Sequence, residues 1–311
     1  MTSGEDKADT FYLGIDGGGS KTLAVIVNTQ GHELGRGQAG SSNYTAVGLQ
    51  SALNSIHTAV QEATQAAGCS LPARYAWLGL AGVDRPADHD TLYPHLTSLA
   101  SHVQLSNDAE LAFSVLENAL GVALIAGTGS IALGRDARGT IIRSGGWGHI
   151  LGDEGSGYDL GRQALLAAVR SADGRGPQTQ LLHLILDSWG LHQAEDLISA
   201  VYASDDKARI ARLSSCVFAA ARASDHIAEQ IIEQGAAELA LAVKAVYERL
   251  DFAAQPLPLA LCGGLLLNEE LYRERLLHHL RAILSLGRVV EVQEPALSAA
   301  RAAINLETIA L

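Results

Sequence analysis

YLGIDGGGSKTLAVIVNTQGHELGRG, residues 12–37, and VALIAGTGSIALGRDARGTIIRSGG, residues 122–146, are two versions of one pattern. Each runs from an apolar stretch through a glycine turn ending in serine (Gly17–Ser20, Gly127–Ser130) into a second apolar stretch. A polar turn ending in Gly31 or Gly139 then leads to a third stretch. Short β-branched and apolar runs bounded by glycine read as strands. Each segment therefore predicts a three-strand meander, not a strand followed by a helix. Recurrence of the whole unit predicts an internal duplication: an α/β protein of two similar halves with a cleft between them.

The spacing fills in the rest. Residues 46–67 have helical periodicity and Gly68 stops them; 74–82 reads as a strand, 91–100 as a helix, 103–108 as a strand and 109–120 as a helix. Helices follow over 156–171, 178–188, 193–203, 206–222 and 225–250. A buried strand lies within 256–264. Asn268 then reads as the N-cap of a helix, before a strand at 289–293 and a last helix over 297–310.

Composition excludes several classes. With 311 residues and 48% hydrophobic content, the chain supports a sizeable core and is neither disordered nor a disulfide scaffold. A net charge of −12, with scattered Lys and Arg, lacks the footprint of a nucleic-acid binder. Cys69, Cys216 and Cys262 stand far apart without metal-ligand spacing, as expected of reduced thiols in a cytoplasmic protein. No apolar run is long enough for a membrane span, so no membrane partner is expected.

Gly17–Thr22, GGGSKT, is not a phosphate-binding P-loop, because Ser20 separates glycine from lysine and a strand follows where a helix is needed. It remains a glycine hairpin whose N–H groups can face one anion, or a plain tight turn. The second turn, Gly127–Ser130, favours a paired clamp on the phosphates of one nucleotide. Asp16, ending the first strand, is suited to Mg²⁺ or to capping the turn. Asp108 ends a strand and reads either as a helix-capping residue beside Asn107 or as a general base. In RSGGWGHILGDEGSGYDLGRQAL (143–165), Gly145, Gly146, Gly148, Gly152, Gly155 and Gly157 surround Trp147, His149, Asp153 and Glu154, a loop suited to a polyhydroxylated ligand, with His149 orienting it. At Gly263–Gly264 a flat group such as adenine can lie on the backbone. Asp84, Asp88, His89 and Asp90 read as a solvated loop, with Asp84 able to face the cleft.

LGIDGGGSKT, GSSNYTAVG, LGLAGVDRP, LSNDA, IAGTGS, GGWGHILGDEGSGYDLGRQA and LCGG occur in the order found in the N-acetylglucosamine kinase/BadF-type ATPase family of the actin/hexokinase/Hsp70 superfamily, which the chain resembles from about 11 to 305. The resemblance implies two actin-like (ribonuclease H-like) domains closing on a cleft, 1–117 with the returning helix 298–311, and 118–297. It implies an ATP-dependent kinase for the 6-hydroxyl of N-acetylglucosamine or glucosamine. Phosphate contacts then fall on Gly18, Gly19, Ser20, Lys21, Thr128 and Gly129, adenosine on Gly263 and Gly264, and Mg²⁺ on Asp16, directly or through water. Asn43, Gly145, Gly146, Trp147 and Asp153 would hold the sugar, with Asp108 as base. Thr45 and Ala81 depart from the family's pattern and leave the group at C2 open. An ATP-binding switch or sugar sensor is the alternative on the same fold. Similar proteins are commonly dimers, so a homodimer is one expectation.

Overall fold

The computed structural model describes residues 10–203, 206–252 and 255–309. Two five-stranded sheets organise it. In the first, β1 (Phe11–Gly17), β2 (Thr22–Asn28) and β3 (Glu33–Ala39) form the expected antiparallel meander, and β4 (Ala73–Leu80) and β5 (Ala100–Ser106) add in parallel beside β1, giving the order β3-β2-β1-β4-β5. In the second, β6 (Gly121–Ala126), β7 (Ser130–Arg135) and β8 (Ile141–Gly145) form the meander, and β9 (Leu257–Cys262) and β10 (Leu286–Val292) add in parallel beside β6. Its order, β8-β7-β6-β9-β10, is the order of the first sheet. The duplication read from the glycine turns is thus a duplication of topology.

The chain divides into two compact units: residues up to Ala119 together with those from Glu294 onward, and Leu120–Gln293. In the first unit the period-2 pattern of β1 sends Phe11, Leu13 and Ile15 into one core with Leu53, Ile56 and Val60 of helix Leu49–Ala67. On the other face Tyr12, Val25 and Val27 pack on Ala296, Ala300 and Ala303 of the last helix, Pro295–Ile309. That helix comes so close that a Cβ on Gly14 would stand 2.0 Å from the Ala296 carbonyl oxygen. The second unit has one large core, in which helices Gly157–Ala172, His226–Tyr247 and Glu270–Ile283 cover Val122, Leu124, Leu259 and Leu261.

Several elements differ from expectation for local reasons. Gly48, at φ +83°, splits the expected helix 46–67 into Tyr44–Val47 and Leu49–Ala67. The helix expected over 91–100 lies earlier, at Pro86–Leu92 plus a 3₁₀ turn at Tyr93–His95, because Pro86 is a favoured first helical residue. Residues Asp108–Val115 form a 3₁₀ helix, which periodicity does not distinguish from an α-helix. Segment 206–222 forms two helices, Lys207–Ala211 and Ser214–Arg222. Asn268 is not an N-cap: it ends helix Gly264–Asn268, and the next helix starts from Glu269 without a side-chain cap. Among the described residues no helix is long and apolar enough to cross a membrane.

Candidate active site

In the first unit, β1, β4 and β5 run parallel, so their carboxyl ends share one edge. Asp16 lies one residue before the end of β1, loop Ala81–Asp84 follows β4, and Asn107–Asp108 follow β5. Asp108 is half-buried, and its carboxyl is pushed up to about 6, first by burial, then by the negative charge of Asp16; Asp84 adds to this and the Ala109 N–H opposes it. Burial also raises Asp16, against the pull of Lys21. Asn107 fulfils its capping reading: its Oδ1 accepts from Ala109 N–H at 2.9 Å while its Nδ2 donates to Asp84 Oδ1 at 2.9 Å. Asp108 itself accepts from Ala109 N–H, at 3.0 Å.

The two glycine turns use their carbonyls on protein. In the first, Gly17 O accepts from Ala81 N–H (2.7 Å), Gly18 O from Ser42 N–H (3.3 Å) and the Ser41 hydroxyl (3.2 Å), and Lys21 O from Gly18 N–H (2.9 Å). In the second, Gly127 O accepts from Gly157 N–H (2.8 Å), Thr128 O from Tyr158 N–H (3.2 Å) and Gly129 O from Gly127 N–H (2.9 Å). Left without a protein acceptor among the described residues are the N–H groups of Gly19, Ser20, Thr128 and Gly129. A turn with most of its acceptors consumed and several donors free is suited to an anion. Gly19 fits this: a Cβ there would meet nothing within 4 Å, and its φ is ordinary, so neither packing nor backbone strain calls for glycine.

Two corrections follow. Gly18 is a turn-closing residue and not a free phosphate donor, since its single N–H is spent on Lys21 O. Nor are the turns of one type. Gly17 pairs with Thr22 across residues 18–21, whereas Ala126 pairs with Ser130 across only 127–129.

In the second unit a cavity of about 470 Å³ runs from Gly127 and Thr128 past Gly157 to Gly264, and takes in Arg212, Ser215, Asn268 and Glu269. It joins the glycine turn to the turn assigned to adenosine. Gly263 sits at φ +94° with the Ala126 carbonyl oxygen 2.4 Å from where a Cβ would lie, so only glycine fits. Arg212, Ser215 and Glu269 carried no motif and were not singled out in the sequence.

The residues grouped by resemblance into one sugar site fall in both units. Asn43 is in the first, capping helix Tyr44–Val47 with its Oδ1 accepting from Thr45 N–H (3.2 Å) and Oγ1 (2.7 Å). Gly145, Gly146, Trp147 and Asp153 are in the second. Gly146 N–H donates to Ser130 O (3.0 Å), and Trp147 is 63% exposed with the Arg143 guanidinium 4.6 Å from its ring centre. Asp153 is buried in a left-handed conformation (φ +62°); its Oδ1 accepts from Ser130 N–H at 3.3 Å and it lies against Gly129. That places Asp153 behind the phosphate turn. His149 meets Tyr158 edge to face at 4.8 Å, as expected of a loop-orienting residue. Asp88 departs from expectation. It is 2% exposed rather than solvated, and the Arg85 side chain, then the Tyr44 hydroxyl, hold its carboxyl far below the usual range.

Among the described residues no three His, Cys, Asp or Glu side chains gather as a metal cage. One desolvated carboxylate beside a glycine turn suits Mg²⁺, which takes one or two carboxylates and draws its other ligands from phosphate and water.

Two like sheets, each with a glycine hairpin joining its first two strands, define the actin-like hexokinase class of α/β fold. The profile of the BadF/BadG/BcrA/BcrD ATPase family matches residues 13–280, and the chain belongs to that family. It is 38% identical to the N-acetylmuramic acid/N-acetylglucosamine kinase of Clostridium acetobutylicum over 83% of this chain and 86% of that one. It is 33% identical to the N-acetyl-D-glucosamine kinase of Dictyostelium discoideum over 82% and 85%. A solved Chromobacterium violaceum protein, provisionally named an N-acetylglucosamine kinase, superposes with a TM-score of 0.74 at 27% identity, covering 96% of this chain and 99% of that one.

Proposed function

We propose that the protein is an ATP-dependent amino-sugar kinase that phosphorylates the 6-hydroxyl of N-acetylglucosamine or glucosamine. The observation that carries this is the state of the two turns: the carbonyls of Gly17, Gly18, Lys21, Gly127, Thr128 and Gly129 accept from protein, while the amides of Gly19, Ser20, Thr128 and Gly129 donate to no protein acceptor among the described residues. Beside one of them stands Asp108, a carboxyl raised into the range of a working base. The names of the relatives, kinases of N-acetylmuramic acid and N-acetylglucosamine, support the amino-sugar kinase part of this reading.

Phosphoryl transfer needs positioning and charge stabilisation more than covalent chemistry. In the second unit, Thr128 and Gly129 would hold phosphate oxygens, with the adenosine lodged along Gly263 and Gly264. Gly19, Ser20 and the Lys21 ammonium would serve the same phosphates from the first unit. Mg²⁺ held at Asp16, directly or through water, would supply charge screening. Asn43 and the loop carrying Gly145, Gly146 and Trp147 would hold the sugar. Asp108 would accept the proton of the 6-hydroxyl as its oxygen bonds to the terminal phosphorus and the bond to the ADP oxygen breaks. A base of this kind contributes roughly 10²–10⁴-fold.

The test is ADP release from MgATP by the purified protein across a panel of amino sugars, neutral hexoses and no sugar, with phosphorus–proton coupling in the product locating the new ester. Turnover dependent on an amino sugar, with coupling to the C6 protons, is expected. Equal ADP release with and without sugar would reject the kinase.

A further inference from the structure

One buried carboxylate in the first unit makes more bonds than its local helix needs. Asp88 is the third residue of helix Pro86–Leu92, where an acid commonly accepts the N–H of the capping residue, and it does so from Arg85 at 2.8 Å. The same carboxylate also accepts from Asp84 N–H (3.2 Å), from the Arg85 guanidinium (3.1 and 3.0 Å) and from the Tyr44 hydroxyl. Tyr44 follows Asn43, whose loop rests on Gly82 so closely that a Cβ there would lie 2.7 Å from Asn43 Oδ1. Asp84, fixed at its backbone by Asp88, accepts through its own Oδ1 from Asn107 Nδ2, and Asn107 caps the turn that begins with Asp108.

We propose that Asp88 is a positioning residue for the reaction: through Tyr44 it sets the loop of Asn43, and through Asp84 and Asn107 it sets the turn of Asp108, so that sugar contact and base are registered by one carboxylate. This deepens the kinase reading and rests on its assignment of Asn43 and Asp108. Two residues from loops distant in sequence must meet one sugar within tenths of an ångström. Independent caps would leave their spacing to chance, whereas a shared buried acceptor ties both to one point.

The test separates the two arms by steady-state kinetics with N-acetylglucosamine and glucosamine. Tyr44→Phe removes one hydroxyl and should raise the sugar KM about tenfold with kcat within about twofold. Asn107→Ala should lower kcat about tenfold or more with the smaller change in KM. Asp88→Asn should do both, and adding Tyr44→Phe to it should cost less than Tyr44→Phe costs the wild type. KM for ATP should stay within about twofold throughout. If Asp88→Asn does not fold, Tyr44→Phe and Asn107→Ala carry the comparison. Variants that melt lower but keep wild-type KM and kcat would make Asp88 a fold pin and overturn the proposal, leaving the kinase intact. A wild-type protein inactive on every amino sugar would remove the kinase and this proposal together.

Discussion

The two units share a strand order but differ at the position just before the glycine turn. Asp16 ends the motif Ile-Asp-Gly in the first, and Ala126 stands at the same place in Ile-Ala-Gly in the second. Around Asp16 the first unit gathers Asp84 and Asp108, at an energetic cost seen in the raised carboxyls. The second unit places no carboxylate there. Instead it buries Asp153 and Ser130 behind the turn, Ser130 Oγ donating to the Glu154 carbonyl at 2.7 Å, whereas its counterpart Ser20 is exposed. Duplication copies a backbone; what is packed behind each copy divides the labour. The first turn is built open with carboxylates gathered beside it, the second buttressed from behind by Asp153 and Ser130.

The largest effect should come from erasing the charge that sets the units apart. Asp108→Asn should lower kcat by roughly 10²–10⁴-fold while sugar and ATP still bind. The same charge should give wild-type kcat/KM an acid limb near pH 6, where Asp108 of the free protein takes up its proton. The sign for stability is opposite. The folded carboxyl titrates above its ordinary value, so its stabilising contribution is complete below the unfolded range and is lost as pH rises towards about 6. At neutral pH Asp108→Asn should therefore melt a few degrees higher than wild type. A variant turning over at wild-type rate, or a rate flat down to pH 5, would remove Asp108 from the chemistry.

Next come the glycines of the two turns. Gly129→Ala drives a methyl to within 2.8 Å of Asp153 Oδ2 and should both lower Tm and raise KM for ATP about tenfold. Gly19→Ala meets no protein atom within 4 Å, so it should leave Tm unchanged and raise KM for ATP only several-fold. An unchanged KM in Gly19→Ala would mean that the first turn cradles no phosphate. The smallest effect concerns the serines. Ser130→Ala loses a buried hydroxyl bond and should cost about 1 kcal/mol in chemical denaturation, while Ser20→Ala should cost nothing measurable.

Much of this contrast was legible from sequence, because strand alternation and glycine turns are local signals. Both meanders, the repeat and the strand ending in Asp16 follow from runs of a few residues. The reach of Asp88 did not. ADHD reads as a solvated charge run, and the burial of Asp88 depends on Tyr44 arriving from another loop. Turn closure was equally hidden: Gly18 and Gly127 look alike in sequence, and the one extra residue in the first loop decides which carbonyl each N–H reaches. Arg212 and Ser215 reach the cavity between Gly127 and Gly264 through packing of helices that carry no motif.

The last helix has a consequence for how the molecule is made. Tyr12, Val25 and Val27 are covered by Ala296, Ala300 and Ala303, so one face of strands β1 and β2 stays bare until the helix from Pro295 has been synthesised. The contiguous unit can close while still tethered to the ribosome; the one bearing Asp108 matures last. A product of interrupted translation would then expose a greasy sheet face to chaperones and proteases before the first unit had closed.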